Sequence, residues 1–471
     1  MTVTQKWVLA LTSAASLMVA LDQLVVATAL STIREDLHAS IATLEWTVNA
    51  YSLSFAVLLI TGAALGDRLG RRRMLAVGLL VFTLASLGCA LAPNTGLLIA
   101  ARTIQGAGAA LVMPLAVSLL TNAFPPERRG AALGLFMALT GLAVVGGPLV
   151  GGAITEGIAW QWIFWINVPI GAILIPLVLI RTTESRGPRA RPDLAGLVLV
   201  SAGMFGIVWG LVRGNTVGWG SGEVMTMLIA GAAATVVFVA WEIRAPEPML
   251  PIRLFANRTF LAANVAIFML TAALFSAVFF MAQYLQIALG YSPLGAGLRF
   301  LPWTLTLFVI APAAGRLSDR IGDRSLLATG LALQGIGLGW VALTIADGRA
   351  YPAAIAALMI AGCGTSMALP AGQNAAMNAV SPTDVGKASG VFNTARQLGG
   401  VFGVAILAAV FAAEGSYASP EAFRHGVAPA LGVAAGLSVL GAFAGTLVRR
   451  RAAHAPVAQA PPPVRVHAVV D

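Results

Sequence analysis

Charge is what this sequence has least of. Only 10% of its residues are Asp, Glu, Lys or Arg, where a soluble domain carries about 25%. A chain that is 58% hydrophobic has too little polar surface to cover an outside that faces water. Lipid is the solvent that suits it. Cysteine is nearly missing: Cys89 and Cys363 both fall in apolar runs and read as packing residues, with no disulfide between them. Histidine is equally sparse. His38, His425, His454 and His467 lie outside the apolar core and form no metal-ligand cluster. A G-x-x-x-x-G-K-[ST] loop is absent, and no soluble segment is large enough to hold one, so ATP is not the direct fuel. No Ser-His-Asp arrangement is evident, and the expectation is a protein that is not an enzyme and needs no cofactor and no metal. The net charge of +10 does not indicate nucleic acid, because the Arg residues sit in short loops between apolar runs.

What the chain does have is long, continuous apolar stretches. A transmembrane helix needs about 20 such residues, and strands of a membrane barrel would alternate apolar and polar instead. Fourteen spans are predicted, near 8–30, 46–65, 74–93, 97–122, 131–155, 162–180, 194–212, 225–243, 260–288, 294–315, 325–346, 351–379, 388–412 and 427–448. The first follows Lys6 like a signal peptide. It is too long for one and carries Asp22, so it reads as a retained span. Placing both termini in the cytoplasm puts most basic residues in inner loops, among them Arg68, Arg71, Arg72, Arg73, Arg128 and Arg129, and leaves Arg34, Arg213, Arg349 and Arg424 outside. Trp160, Trp162 and Trp165 fall where an outer aromatic belt belongs. The tail after Arg451 is Ala- and Pro-rich and reads as disordered.

An internal repeat organises the spans. Leu65-Gly66-Asp67-Arg68-Leu69-Gly70-Arg71-Arg72 after span two matches Leu317-Ser318-Asp319-Arg320-Ile321-Gly322-Asp323-Arg324 after span ten. The shared Leu-x-Asp-Arg-x-Gly-x-Arg points to two related halves with a substrate site between them near the midplane. The expected architecture is all-α integral membrane: a six-helix half over 1–182, an inserted helix pair over 183–258, a second six-helix half over 259–451 and a tail over 452–471.

Four motifs in order resemble the major facilitator superfamily, and within it the fourteen-span drug:proton antiporters. The Asp67 loop is similar to the family's cytoplasmic signature, with Ala63 in place of the leading Gly. Leu21-Asp22-Gln23-Leu24-Val25-Val26 through Ala29-Leu30 resembles the span-one pattern of the fourteen-span group, with Leu24 in place of the usual Thr. Arg102-Thr103-Ile104-Gln105-Gly106-Ala107-Gly108 is similar to the span-four R-x-x-Q-G-x-G. Gly141, Gly146, Gly147, Pro148, Gly151 and Gly152 resemble the antiporter element of span five. The resemblance implies a major facilitator fold in the cell membrane and efflux of hydrophobic or amphipathic drugs or antibiotics, cations among the candidates, by a monomer that exchanges them for protons. The rival reading is a proton symporter for nutrient uptake.

Asp22 is the acid on which coupling is expected to turn. A charge in an apolar run costs several kcal/mol, and desolvation favours the protonated carboxyl. Proton and cargo would then compete for one negative site. Arg102, which keeps its proton, would orient polar groups on span one; the resemblance links it to proton transfer. Gln105 shares its face. Gln283, Gln286, Trp303, Gln373, Asn374, Asn393, Arg396 and Gln397 are expected to line the cavity from the second half. Asp67, Arg68, Gly70, Arg71, Asp319 and Arg320 form an expected cytoplasmic gate, with Glu127 as the carboxylate that Arg71 reaches. The glycines and Pro148 of span five would pack closely and seal the cavity, which the resemblance ties to export.

Overall fold

A computed structural model describes residues 1–186, 193–246, 248, 250, 252–381 and 384–449. The predicted disordered tail lies outside the described residues. Every regular element among them is helical: α1 (Val3–Asp36), α2 (Ile41–Leu69), α3 (Arg71–Ala90), α4 (Thr95–Ala123), α5 (Pro126–Gly157), α6 (Trp162–Trp165) and α7 (Asn167–Arg181) come first. Next come α8 (Leu194–Val217), α9 (Gly222–Arg244), α10 (Arg258–Gln283), α11 (Pro293–Arg299), α12 (Leu301–Thr304) and α13 (Thr306–Ile321). The chain ends with α14 (Asp323–Ala346), α15 (Ile355–Asn378), α16 (Val385–Glu414) and α17 (Pro420–Thr446). Helix is the only economical choice here, because lipid offers no partner for an unpaired backbone group. Thirteen described helices, some of them spanning a short break, are long and apolar enough to cross a membrane, and α2, bent by 50°, makes a fourteenth. The protein is a multi-pass membrane protein, and its surface agrees: Ile180, Leu343 and Phe443 are 73%, 67% and 65% exposed, as lipid-facing residues should be.

Helix starts follow local chemistry. Thr2 and Gln5 form a capping box on α1, and Ser40, Asn94, Ser221 and Ser419 cap α2, α4, α9 and α17. α1 runs for 34 residues, about 50 Å at 1.5 Å per residue. It therefore tilts or projects beyond the hydrocarbon, where 8–30 was predicted. Two predicted spans are broken. The sixth is split at Ile166 into α6 and α7. The tenth is α11, α12 and α13 in succession, with Pro302 in the short middle piece. α10 continues as a π-turn over Tyr284–Ala288. Trp160 is not at the lipid interface: it is buried, and its indole donates to Asp36 Oδ2 at 2.7 Å.

The same packing occurs twice. In the first half α1 lies on α5, α3 lies on α4 and α7, and α2 lies on α4. In the second, α10 lies on α16, α14 on α15 and α17, and α13 on α15. The repeat loops share one backbone device as well. Gly70 and Gly322 sit at φ +111° and +82°, a region costly for any residue with a Cβ, and each joins one helix directly to the next. The inserted pair α8–α9 packs on itself, and α8 lies on α2 and α16. The halves meet along α2–α16, α5–α11 and α1–α10.

Candidate functional site

Packing of α1 against α4 and α7 brings two opposite charges together inside the first half. Asp22 and Arg102 are ion-paired through Arg102 Nη1 and Asp22 Oδ2, each side chain 1% exposed. The other carboxylate oxygen, Oδ1, accepts from Gln105 Nε2 at 2.8 Å and Asn167 Nδ2 at 2.9 Å. Arg102 Nη1 also donates to Gln105 Oε1 at 2.7 Å, and Arg102 Nε donates to the Thr47 carbonyl at 3.2 Å. Its guanidinium lies 4.1 Å from the Tyr51 ring centre. Ser86 Oγ accepts from both amides, at 2.7 Å from Gln105 and 3.4 Å from Asn167. Five helices, α1, α2, α3, α4 and α7, thus contribute to one network around this carboxylate. A buried pair is tolerable only when the remaining valences are met in this way.

This geometry revises the expected role of Asp22. The carboxylate does not face a cavity in which cargo could compete with a proton; it faces Arg102. Gln105 is likewise part of this network and buried. The cavity at the seam of the halves lies beside them. α1 contributes Gln23, Leu24 and Ala27, and α2 Val48 and Ser52; α10 contributes Phe275, Val278 and Phe279, and α16 Gly400 and Val404. Its volume of about 20 Å³ holds about one or two waters, so the seam is closed on itself in this conformation. Asp22 and the cavity share α1: the residue next to the acid, Gln23, is a lining residue.

None of the residues expected to line the cavity from the second half is among its lining residues. Gln286 donates to the Thr28 carbonyl at 3.0 Å and accepts from Ser31 Oγ, tying the π-turn to α1. Gln283 accepts from Tyr417 Oη at 2.5 Å, and Arg34 lies 4.3 Å over the Tyr417 ring. Glu156 of α5 accepts from the Leu294 N–H at 3.0 Å. Apart from the Gln283–Tyr417 bond, which lies within the second half, these contacts bind the halves at the end opposite the Asp67 loop. Trp303 is buried, with its carbonyl against Gly362, and serves packing. Asn393 bonds back to the Ser389 carbonyl at 2.9 Å. Gln373 is half-buried and Asn374 exposed. Arg396 and Gln397 sit one turn below Gly400 on α16.

The glycine element of α5 faces two ways. A Cβ at Gly151 would come 2.6 Å from the Val25 carbonyl oxygen of α1. A Cβ at Gly152 would collide with the Pro293 carbonyl of α11, and one at Gly297 with the Pro148 carbonyl in return. Gly147 lies close to Leu24 of α1, while Gly141 and Gly146 make ordinary contacts with Leu307 and Leu21. The element therefore seals one end of the seam by backbone-to-backbone approach.

At the other end Asp67 Oδ1 accepts from Arg71 Nε at 2.7 Å within its own turn. Arg71 is thus held by a carboxylate of its own turn, and its expected contact with Glu127 falls outside the described residues. Arg68 is exposed. The side chains of Glu127, Asp319 and Arg320 lie outside the described residues. The residue missed by sequence reasoning is Glu184. Its carboxylate accepts from the Arg72 and Arg73 N–H groups at 2.9 and 3.3 Å, capping α3, whose own N-cap, Gly70, has no side chain to do so. Asn167 was also missed; a lone amide just after an aromatic run was the available signal.

A family model described as Major Facilitator Superfamily matches residues 12–252 and 263–467. The cephamycin export protein CmcT of Amycolatopsis lactamdurans is 37% identical over 428 residues, 88% of this chain and 87% of that protein. The puromycin resistance protein pur8 of Streptomyces alboniger is 34% identical over 450 residues, 93% and 88% of the two. The tetracenomycin C resistance and export protein of Streptomyces glaucescens is 32% identical over 418 residues, 88% and 78%. Among solved structures, a bacterial homolog of the human lysosomal transporter Spinster, inward-facing and unoccupied, aligns with TM-score 0.69 at 18% identity, covering 95% of this chain and 97% of that one.

Proposed function

The chain belongs to the major facilitator superfamily, and from that premise we propose that it is a proton-driven exporter of antibiotic-like amphipathic compounds in the cell membrane, both termini cytoplasmic. The observation that carries the reading is the Asp22–Arg102 pair on the helix that also lines the seam. A proton delivered to Asp22 cancels its attraction for Arg102 while leaving both amide donors in place. α1 is then free to shift against α4, and Gln23, Leu24 and Ala27 move with it. Coupling is thus indirect: the proton competes with Arg102, and the cargo feels the result through α1. The contacts of Ser31, Arg34 and Glu156 with the second half must break when the seam opens at that end. The Asp67–Arg71 loop is the matching element at the cytoplasmic end.

Support for export over uptake comes from the glycine seal of α5 and from relatives named for antibiotic export or resistance. The test is transport into everted membrane vesicles. An imposed proton gradient should drive accumulation of drug, a protonophore should abolish it, and Asp22→Asn should reduce it to background. Substrate entering intact cells along with protons would overturn export in favour of symport.

A further inference from the structure

The seam cavity carries information about what it accepts. Its α10 wall is aromatic, with Phe275 and Phe279 one turn apart on one face. Its polar atoms come from Gln23 and Ser52. Two further amides each lie one helical turn from a lining residue. Asn49 lies one turn from Ser52 on α2, is 0% exposed, and has no partner for either amide atom among the described residues. Gln397 lies one turn from Gly400 on α16, is 2% exposed, and is equally unpartnered. Buried polar groups without partners are rare in native structures and call for an explanation. Here two occur on the two helices that meet beside the same cavity. No charged side chain lines it. Arg396, one turn below Gly400, has no carboxylate within ion-pair distance among the described residues, whereas Asp22 is spent on Arg102. None of the ten lining residues is acidic.

From these four observations we propose that the seam between α1, α2, α10 and α16 is the recognition site for uncharged aromatic compounds bearing carbonyl and hydroxyl groups, and that it rejects organic cations. The rings lie on Phe275 and Phe279. The amides of Gln23, Asn49 and Gln397 each donate and accept, so they match carbonyls and hydroxyls together. A cation would meet no acid among the lining residues and the Arg396 guanidinium one turn away. The present volume is that of the closed seam; parting the halves exposes both amides to the same ligand. The inference rests on the export reading for the purpose of the site, though its chemistry is testable alone.

The test is equilibrium binding to the purified full chain, with chloramphenicol and dihydroxyanthraquinone as neutral probes and tetraphenylphosphonium and ethidium as cations. The neutral probes should bind, and the cations should neither bind nor compete. Asn49→Leu and Gln397→Leu should each weaken neutral binding about fivefold. Neither should lower the Tm, because each removes an unpaired amide rather than a bond. Cations that bind as well as the neutral probes, neutral probes that fail to bind, or leucine variants that bind like the parent would each overturn the proposal. The parent reading is separable. Neutral binding without proton-driven movement in vesicles sinks export and spares the site. Proton-driven movement of the cations alone sinks the site's chemistry and spares export.

Discussion

Asp22→Asn is the sharpest perturbation that the network offers. The carboxylate uses both oxygens as acceptors: Oδ2 faces Arg102, and Oδ1 takes Gln105 and Asn167 at 2.8 and 2.9 Å. An amide has one acceptor and one donor end. Either orientation points its NH2 at a donor, at Arg102 or at the two amides, and Arg102 stays charged and buried in both. Removing one partner of a buried pair costs about 3–5 kcal/mol. The low end applies, because Arg102 keeps Gln105 Oε1, the Thr47 carbonyl and the Tyr51 ring. Arg102→Leu should cost less, since the stranded Asp22 can take up a proton whereas a stranded arginine cannot lose one. The double variant Asp22→Asn/Arg102→Leu should recover much of the stability of Asp22→Asn and none of the proton-driven transport. Thermal unfolding of the four proteins in one detergent closes the double-mutant cycle, with an interaction of about 3 kcal/mol expected. Additive losses in stability, or Asp22→Asn pumping like the parent, would refute the reasoning.

Two more outcomes follow from the packing. Gly152→Val puts a branched side chain where the Pro293 carbonyl lies. The α5–α11 end should then fail to close, so that a cysteine introduced at Ala27 reacts faster with an impermeant thiol reagent added from that side, while transport falls at least tenfold. Glu184→Gln keeps an acceptor at the start of α3 but loses the charge beside Arg72 and Arg73, each 3.8 Å away; with the site about one-fifth exposed, a loss of about 1 kcal/mol is expected, read as a lower Tm with the KM for drug unchanged.

The helices and their order were legible in the sequence. A run of twenty apolar residues in lipid has one way to satisfy its backbone, so hydropathy nearly dictates the element. The repeat was legible for a different reason. Gly70 and Gly322 hold a backbone conformation that other residues enter at a cost, so the turn is written into residue type. The two buried charges were also visible, because Asp22 and Arg102 each stand alone in an apolar run. Where the polar side chains point was not visible. Gln283 and Gln286 were placed in the cavity by polarity alone, yet they tie helix ends together. An amide in lipid must turn inward, but inward includes the cavity, the gate and the neighbouring helix. Glu184 shows the same limit: it caps a helix that begins more than one hundred residues earlier.

The sequence by itself determined that this chain spans a membrane many times, that it is built twice over, and that one acid and one base are buried in its first half. Only the tertiary structure decided that the acid meets the base instead of the cavity. Hydropathy is a property of a segment taken alone, whereas a partner depends on how each helix is rotated and which helix it touches. In lipid those choices rest on close packing and a few polar contacts between distant residues.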